Sequence, residues 1–507
     1  MTSPLAGAIR SHSRLEIVAF AVLASLVAAG LLIVVLRQLG YGLEYDEAYL
    51  LHVVKNVAEG RGYVDDGVSF QTSGAAFEPR ISTGPTVLLP SAAVWWLTDG
   101  TIAAVRLIPL LYFALLVAAI ARLFYRAGGA WTALAALLGL LALPVLHPDL
   151  QNTSLMPGRL VGELPATALL VAAAALLVSR HSFAAGIVAG LAILTKLVFL
   201  LPVLLLLATW ILWALFRSRR ESWTIPLRFL PGVAIPLAAF EVAKIVVLGW
   251  DGYLGHRQQV SAFLADQAIE PASADRILSD KLAELSFLTS RIPLVVLVVA
   301  LLLLAVLATR RGALGRAHLL DRPWASIYGL ALGSAVAIAW WLLSSAQTSG
   351  RPAFPYVLLL TVIVFGLLGH IATRVGREFP AAVGARAIAV GAWLVMALIL
   401  GYRVADLATN ESGAELLAAQ EGAARTLADE LGFVPRDEYW THPDLLLLSG
   451  LPSEPYDSVD PPVAVITSLQ SRIESGLSDA HAAADRCRFT FFDSRDVMIC
   501  RVPWGTY

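Results

Sequence analysis

The 507-residue chain is 58% hydrophobic and only 15% charged, against roughly 45–50% and about 25% in an average soluble domain. Its 37 basic and 38 acidic residues leave a net charge of −1, so no global basic field points to nucleic acid. Two cysteines build neither a disulfide framework nor a Cys-rich zinc site, and the long apolar blocks exclude both an ordinary soluble enzyme and a disordered chain.

The class is therefore a polytopic α-helical membrane protein. A bilayer core about 30 Å thick takes about 20 apolar residues per helix. In chain order the sequence predicts about eleven spans, near 15–37, 101–122, 129–146, 160–179, 183–197, 199–216, 225–248, 291–309, 323–343, 354–373 and 384–402. The first is too long for a signal-peptide core, and Arg37-Gln38 follows it in place of a small-residue cleavage site. One helix over 183–216 would run about 51 Å at 1.5 Å per residue, too long for one span, so the block splits at Lys196–Pro202. With that split the arginine clusters (Arg10/Arg14, Arg122/Arg126, Arg217/Arg219/Arg220, Arg310/Arg311 and Arg374/Arg377) fall on one side, which the positive-inside rule makes cytoplasmic. The expected domains are a transmembrane domain over 1–403 and an extracytoplasmic tail over 404–507, with long outer loops at 38–100 and 249–290. Elaboration on the outer side implies chemistry on the outer side, where no nucleotide is available. The Ala, Leu, Gly and Arg richness looks like that of a high-GC bacterium, and the expected location is the bacterial cytoplasmic membrane.

Directly after the first span stands Tyr45-Asp46-Glu47-Ala48-Tyr49, an acidic pair opening an amphipathic helix. A carboxylate near a low-dielectric boundary is a strengthened proton acceptor. The same pair also reads as a helix start, with Asp46 as cap and Glu47 favoured by the helix dipole. The loop continues through Phe77-Glu78-Pro79-Arg80 and Ser82-Thr83-Gly84-Pro85 into a short apolar stretch, Thr86 to Leu97, too short to span. Arg80 with free backbone N–H groups suits a phosphate; it also reads as an arginine snorkelling to headgroups.

The order of these pieces resembles the GT-C membrane glycosyltransferases: an acidic pair after the first span, a Glu/Pro/basic element leading into a short apolar helix, Arg106 opening the next span, and later Gly190-Leu191-Ala192-Ile193-Leu194-Thr195-Lys196. Within that class it is similar to the bacterial lipid A aminoarabinose transferases and the protein O-mannosyltransferases. The likeness covers about the first 220 residues, and the remaining spans by architecture only. It implies a GT-C fold and a sugar donor linked to a polyprenyl phosphate. It also implies transfer to an envelope glycan, lipid or protein acceptor on the outer face, with Asp46 as the base or the acid that orients the acceptor and Glu47 in support. The lipid A enzymes' Glu-Lys-Pro element stands here as Glu78-Pro79-Arg80, and arginine clamps phosphate with a different geometry from lysine.

Charged groups in or near spans are candidates in their own right. Arg159 and Glu163 are spaced as a helical ion pair, as are Glu241 and Lys244. Lys196, Arg257 and Arg351 join Arg80 as expected contacts for the donor phosphate, and Tyr45, Glu78, His256 and Gln347 as an expected substrate wall. His147 and Asp149, with the acidic pair, could hold a divalent metal ion, or serve as a loop turn and helix cap. In the tail, 413–431 and Leu469–Asp485 read as helices. Glu438–Thr441 and Val463–Thr467 read as strands, and Arg488–Phe492 and Val497–Arg501 as a hairpin, giving a small α/β domain. Cys487 and Cys500 flank that turn, so they are expected opposite each other and disulfide-bonded. The sequence thus points to an inverting glycosyltransferase. A flippase for lipid-linked glycans and an O-antigen-type ligase or polymerase are the alternatives.

Overall fold

The structure, a computed structural model, describes residues 14–64, 83–146, 157–217, 220–266, 278–282, 321–344, 353–378, isolated positions between 391 and 405, 414–436, 442–455, 462–467, 487–494 and 497–502. The chain is divided into two compact units. The first comprises Met1–Val34, Leu111–Pro157 and Gly162–Asn410; the second comprises Val35–Leu110, Gly158–Val161 and Glu411–Tyr507.

The first unit is helical: α1 (Arg14–Leu39, in its first part), α5 (Leu107–Gly128, from Leu111 on), α6 (Ala130–Leu146), α7 (Glu163–Val178), α8 (Ser182–Thr195), α9 (Leu200–Arg217), α10 (Arg220–Asp266), α11 (Arg322–Ser344) and α12 (Phe354–Glu378). Six helical stretches among the described residues are long and apolar enough to cross a bilayer; α6 to α8 are apolar but shorter. Glycines set the closest crossing. A Cβ on Gly186 of α8 would lie 2.1 Å from the Phe229 carbonyl oxygen of α10, and one on Gly232 would lie 2.4 Å from that of Phe183. Small residues at such a crossing let two backbones approach where lipid offers no hydrophobic drive to association.

The expected break between 183–197 and 199–216 is present. Lys196 is extended (φ −156°, ψ 122°), a short 3-10 turn covers Leu197–Phe199, and α9 begins at Leu200. Pro202 supplies the reason. It has no N–H to give the Val198 carbonyl four residues back, and the Tyr356 hydroxyl of α12 donates to that carbonyl instead (3.2 Å).

Some expected boundaries move. The span placed at 101–122 is interrupted at Arg106 and runs to Gly128. The span placed at 225–248 belongs to α10, which bends at Gly249 (φ +70°) and continues to Asp266, so the start of the expected outer loop is helix continuation. The span at 291–309 lies outside the described residues, and 384–402 is described only at isolated helical positions.

The second unit joins α2 (Tyr45–Ala58), α3 (Pro85–Leu97) and α4 (Ile102–Val105) to the tail elements α13 (Ala414–Glu430) and α14 (Pro443–Ser449) and five strands. The strands are β1 (Val434–Arg436), β2 (Ser453–Pro455), β3 (Val463–Thr467), β4 (Phe489–Asp493) and β5 (Val497–Arg501). β1 and β2 pair in parallel, and β3-β5-β4 form an antiparallel sheet. Period-2 alternation sorts the sheet's side chains. Val463, Val465, Val497 and Ile499 pack with Ala423, Leu427 and Leu445, with Tyr49 of α2 against them. Ala464, Ile466, Met498 and Cys500 pack on the other face with Cys487. Cys487 and Cys500 are bonded. They are not direct partners, as the turn symmetry had suggested: the strands pair with Asp493 opposite Met498, and past a bulge at Phe491 it is Thr490 that faces Cys500. The expected strand at Glu438–Thr441 and helix at Leu469–Asp485 lie outside the described residues.

Candidate active site

The backbone from Gly40 to Glu44, between α1 and α2, has no regular secondary structure. One side chain meets the carbonyls of Tyr41 and Gly42. Arg106, at the junction of α4 and α5, is 2% exposed. Its Nε and Nη2 each donate to one carboxylate oxygen of Glu47 at 2.8 Å. Nη1 donates to the Tyr41 carbonyl and Nη2 to that of Gly42 at 3.2 Å. A guanidinium has five N–H donors in a planar fork, and here the fork both neutralises a fully buried carboxylate and replaces a missing backbone ladder. Loss of one partner from such a pair is strongly destabilising, because a charge is stranded out of water.

A second ion pair fixes the next turn. Glu44 is the N-cap of α2 but makes no capping hydrogen bond. Its carboxylate accepts from Nη1 of Arg159, whose guanidinium lies 5.6 Å from the centre of the Tyr41 ring. Arg159 precedes α7 and so does not pair with Glu163 along a helix, as its spacing had suggested. Glu163 instead accepts from the Lys196 ammonium. The other expected pair, Glu241 with Lys244, is present at 3.4 Å.

Asp46 stands between the two fixed carboxylates, at the second position of α2 and half-buried. It is not the cap; Glu44 holds that place. Both carboxylate oxygens of Glu47 are turned to Arg106, so Glu47 serves as a buried strut. Tyr45 is half-buried on the same turn. These residues belong to the second unit, whereas Lys196, His256 and Arg257 belong to the first. Arg257 is exposed, and its Nη1 donates to the Tyr253 hydroxyl at 3.4 Å, which in turn donates to Glu241 at 2.9 Å. His256 is half-buried one residue earlier in α10. Glu78, Arg80, His147, Asp149, Gln347 and Arg351 lie outside the described residues. Among the described residues no group of three His, Cys, Asp or Glu side chains is placed to hold a metal ion. With Glu47 committed to Arg106, the acidic pair does not fit as two ligands of one ion.

Similarity to known proteins enters through the fold. Comparison of the sequence with family models and with curated proteins gives no match. Among solved structures the chain is similar to the apo crystal structure of ArnT from Cupriavidus metallidurans, at 13% identity and a TM-score of 0.51, over 95% of this chain and 98% of that one. The chain has the GT-C fold. Two further similar structures are ArnT bound to undecaprenyl phosphate (13% identity, TM-score 0.48, 95% and 98% covered) and the oligosaccharyltransferase AglB from Archaeoglobus fulgidus with an inhibitory peptide and a dolichol-phosphate (13%, 0.47, 80% and 58%). Near-complete coverage of both this chain and ArnT makes the GT-C likeness one of whole architecture. The sequence motifs had supported it well only over the first 220 residues.

Sequence reasoning missed the partners. Arg106 and Arg159 were visible as charges near spans, but their acids are far away in the chain. The only available signal was the excess of buried charge itself.

Proposed function

We propose that the protein is an inverting glycosyltransferase that moves one sugar from a polyprenyl-phosphate donor to an envelope acceptor on the outer face of the cytoplasmic membrane. The observation that carries this reading is the acidic start of α2 within a GT-C fold. Buried arginines hold Glu44 and Glu47 on either side of Asp46, which is itself part-exposed on the rigid first turn. A proton acceptor held this way needs no reorganisation as the reaction proceeds.

In the proposed step the acceptor hydroxyl attacks the anomeric carbon. The bond from that carbon to the phosphate oxygen breaks, and the lipid phosphate departs with the electron pair. Asp46 takes the hydroxyl proton. Attack opposite the leaving group inverts the anomeric centre. Arg80, Lys196, Arg257 and Arg351 are assigned to the charge on the leaving phosphate, with Tyr45, Glu78, His256 and Gln347 along the substrates. An ammonium has three N–H donors, and the Glu163 contact uses one, so a phosphate contact by Lys196 need not break that pair. The acceptor class, the orientation with the N-terminus inside and the tail outside, and the domain division at about residue 403 belong to the same proposal. No step is routed through a metal.

The test supplies purified protein with sugar-labelled undecaprenyl-phosphate pentoses and hexoses, together with delipidated envelope acceptor. Transfer of label with release of undecaprenyl phosphate is expected for one donor of the set. Movement of lipid-linked sugar across vesicles without transfer would replace the enzyme reading with a flippase.

A further inference from the structure

Leu43, three residues before Asp46, has both backbone polar groups taken by one side chain from the far end of the sequence. Its N–H donates to Oε1 of Gln420 at 2.9 Å, and its carbonyl accepts from Nε2 of Gln420 at 2.8 Å. The amide thus pairs with Leu43 as a neighbouring strand would. The same Nε2 also donates to Oδ2 of Asp444 at 2.8 Å, which fixes which way round the amide sits. Gln420 is 3% exposed and Asp444 9%. Two further contacts tie the tail to the same stretch. A Cβ on Gly42 would lie 2.4 Å from Cγ of Leu416 in α13, so only glycine lets that helix come so close. Nε2 of His52, on α2, lies 3.0 Å from the Pro443 carbonyl at the start of α14.

Five backbone groups of residues 41–44 have named partners. Arg106 holds the Tyr41 and Gly42 carbonyls, Gln420 holds both groups of Leu43, and the Glu44 carbonyl accepts from the Ala48 N–H of α2 at 2.8 Å. Buried backbone groups need partners, and here an irregular segment gets them from two side chains instead of a ladder. One comes from the junction of α4 and α5 and one from the tail.

We propose that Gln420 is a positioning residue for the transfer reaction: through Leu43 it sets where the first turn of α2 presents Asp46. The tail is then part of the catalytic apparatus, acting on the geometry of the base without touching substrate. This inference rests on Asp46 being the base. Misplacement of a catalytic group by about 1 Å costs on the order of 10²-fold in rate, so loss of this tie lowers kcat while leaving the donor-binding cations untouched.

The test compares wild type, Gln420→Met, Asp46→Asn and the double variant, at equal folded protein, with the undecaprenyl-phosphate sugar that the wild type uses. Gln420→Met keeps the length and loses every hydrogen bond. Its kcat is expected to fall about 10- to 100-fold, with donor KM within twofold of wild type. Hydrogen exchange in peptides covering residues 41–46 should speed up. Because Gln420 acts through Asp46, the double variant should fall no further than Asp46→Asn alone; independent effects would multiply. Wild-type kcat in a folded Gln420→Met variant overturns the proposal, as does multiplication of the two effects. Where Gln420→Met does not fold, Gln420→Asn decides. It keeps the amide but is one methylene too short for both Leu43 groups, so the same loss of kcat supports the proposal and unchanged kcat removes it. Full activity of Asp46→Asn is a different outcome, in which the base assignment fails and the positioning role goes with it.

Discussion

Arg106→Met is the most severe single test of the packing around Asp46. The substitution keeps an unbranched side chain of similar length in the hole and removes all five donors. Glu47, 0% exposed, is then left as a buried carboxylate with no countercharge. Breaking such a pair from one side costs about 3–5 kcal/mol. The Tyr41 and Gly42 carbonyls lose their donors as well, at about 1–3 kcal/mol each if no water replaces them. These losses share one guanidinium and do not add in full, so the net loss is on the order of 5 kcal/mol. That is a large part of the roughly 5–15 kcal/mol that holds an ordinary domain. At roughly 2–4 °C per kcal/mol for a unit of this size, the melting midpoint in detergent should drop on the order of 10 °C. The double variant Arg106→Met/Glu47→Leu separates the terms. It removes the stranded charge and leaves only the carbonyls unmet, so about 3–5 kcal/mol of the loss should return. A single variant that melts with wild type, or a double variant that melts no higher than the single, refutes the reasoning.

Three other outcomes follow from the same structure. Gly186→Ala places a methyl 2.1 Å from a backbone oxygen of α10, and the helices must part at a cost of about 1–3 kcal/mol; an unchanged melting midpoint would contradict the crossing. Burial raises the Asp444 carboxyl above its ordinary range, so the folded state holds that proton more tightly and stability falls as pH rises from about 4 through the raised value. Asp444→Asn, which still accepts from Gln420, should therefore melt higher than wild type at pH 7.5 and equal to it near pH 4; equal midpoints at both pH values would remove the buried charge from the account. Glu421→Cys, exposed on α13, should react with an impermeant thiol reagent added outside intact or outer-permeabilised cells, and labelling only after lysis would reverse the topology.

Local features were legible in the sequence because local physics causes them. Pro202 ends the block at Lys196, the i, i+3 spacing of Glu241 and Lys244 makes their pair, and alternation in 488–501 makes the hairpin. The short stretch after Gly84 was read as too short to span and is a 13-residue helix. What sequence reading missed is long-range. Glu47 and Arg106 are 59 residues apart, Glu44 and Arg159 are 115 apart, and Leu43 and Gln420 are 377 apart. No periodicity encodes such partners. The Arg159–Glu163 expectation failed because i, i+4 spacing means contact only within one helix, and α7 begins at Glu163. The direct pairing of Cys487 with Cys500 failed because the register is set at the turn, where Asp493 faces Met498, and not by the midpoint of the two cysteines. The tail elements share one compact unit with α2 and α3, a grouping that sequence distance hides.

The central claim is that Asp46 accepts the proton in sugar transfer. Asp46→Asn preserves size and hydrogen bonding and leaves both buried arginine pairs intact, so expression and melting should stay close to wild type. Transfer from an undecaprenyl-phosphate sugar, measured at equal protein, should fall about 10²–10⁴-fold, the usual cost of losing a general base, while donor binding is retained. Undiminished transfer by Asp46→Asn would contradict the account.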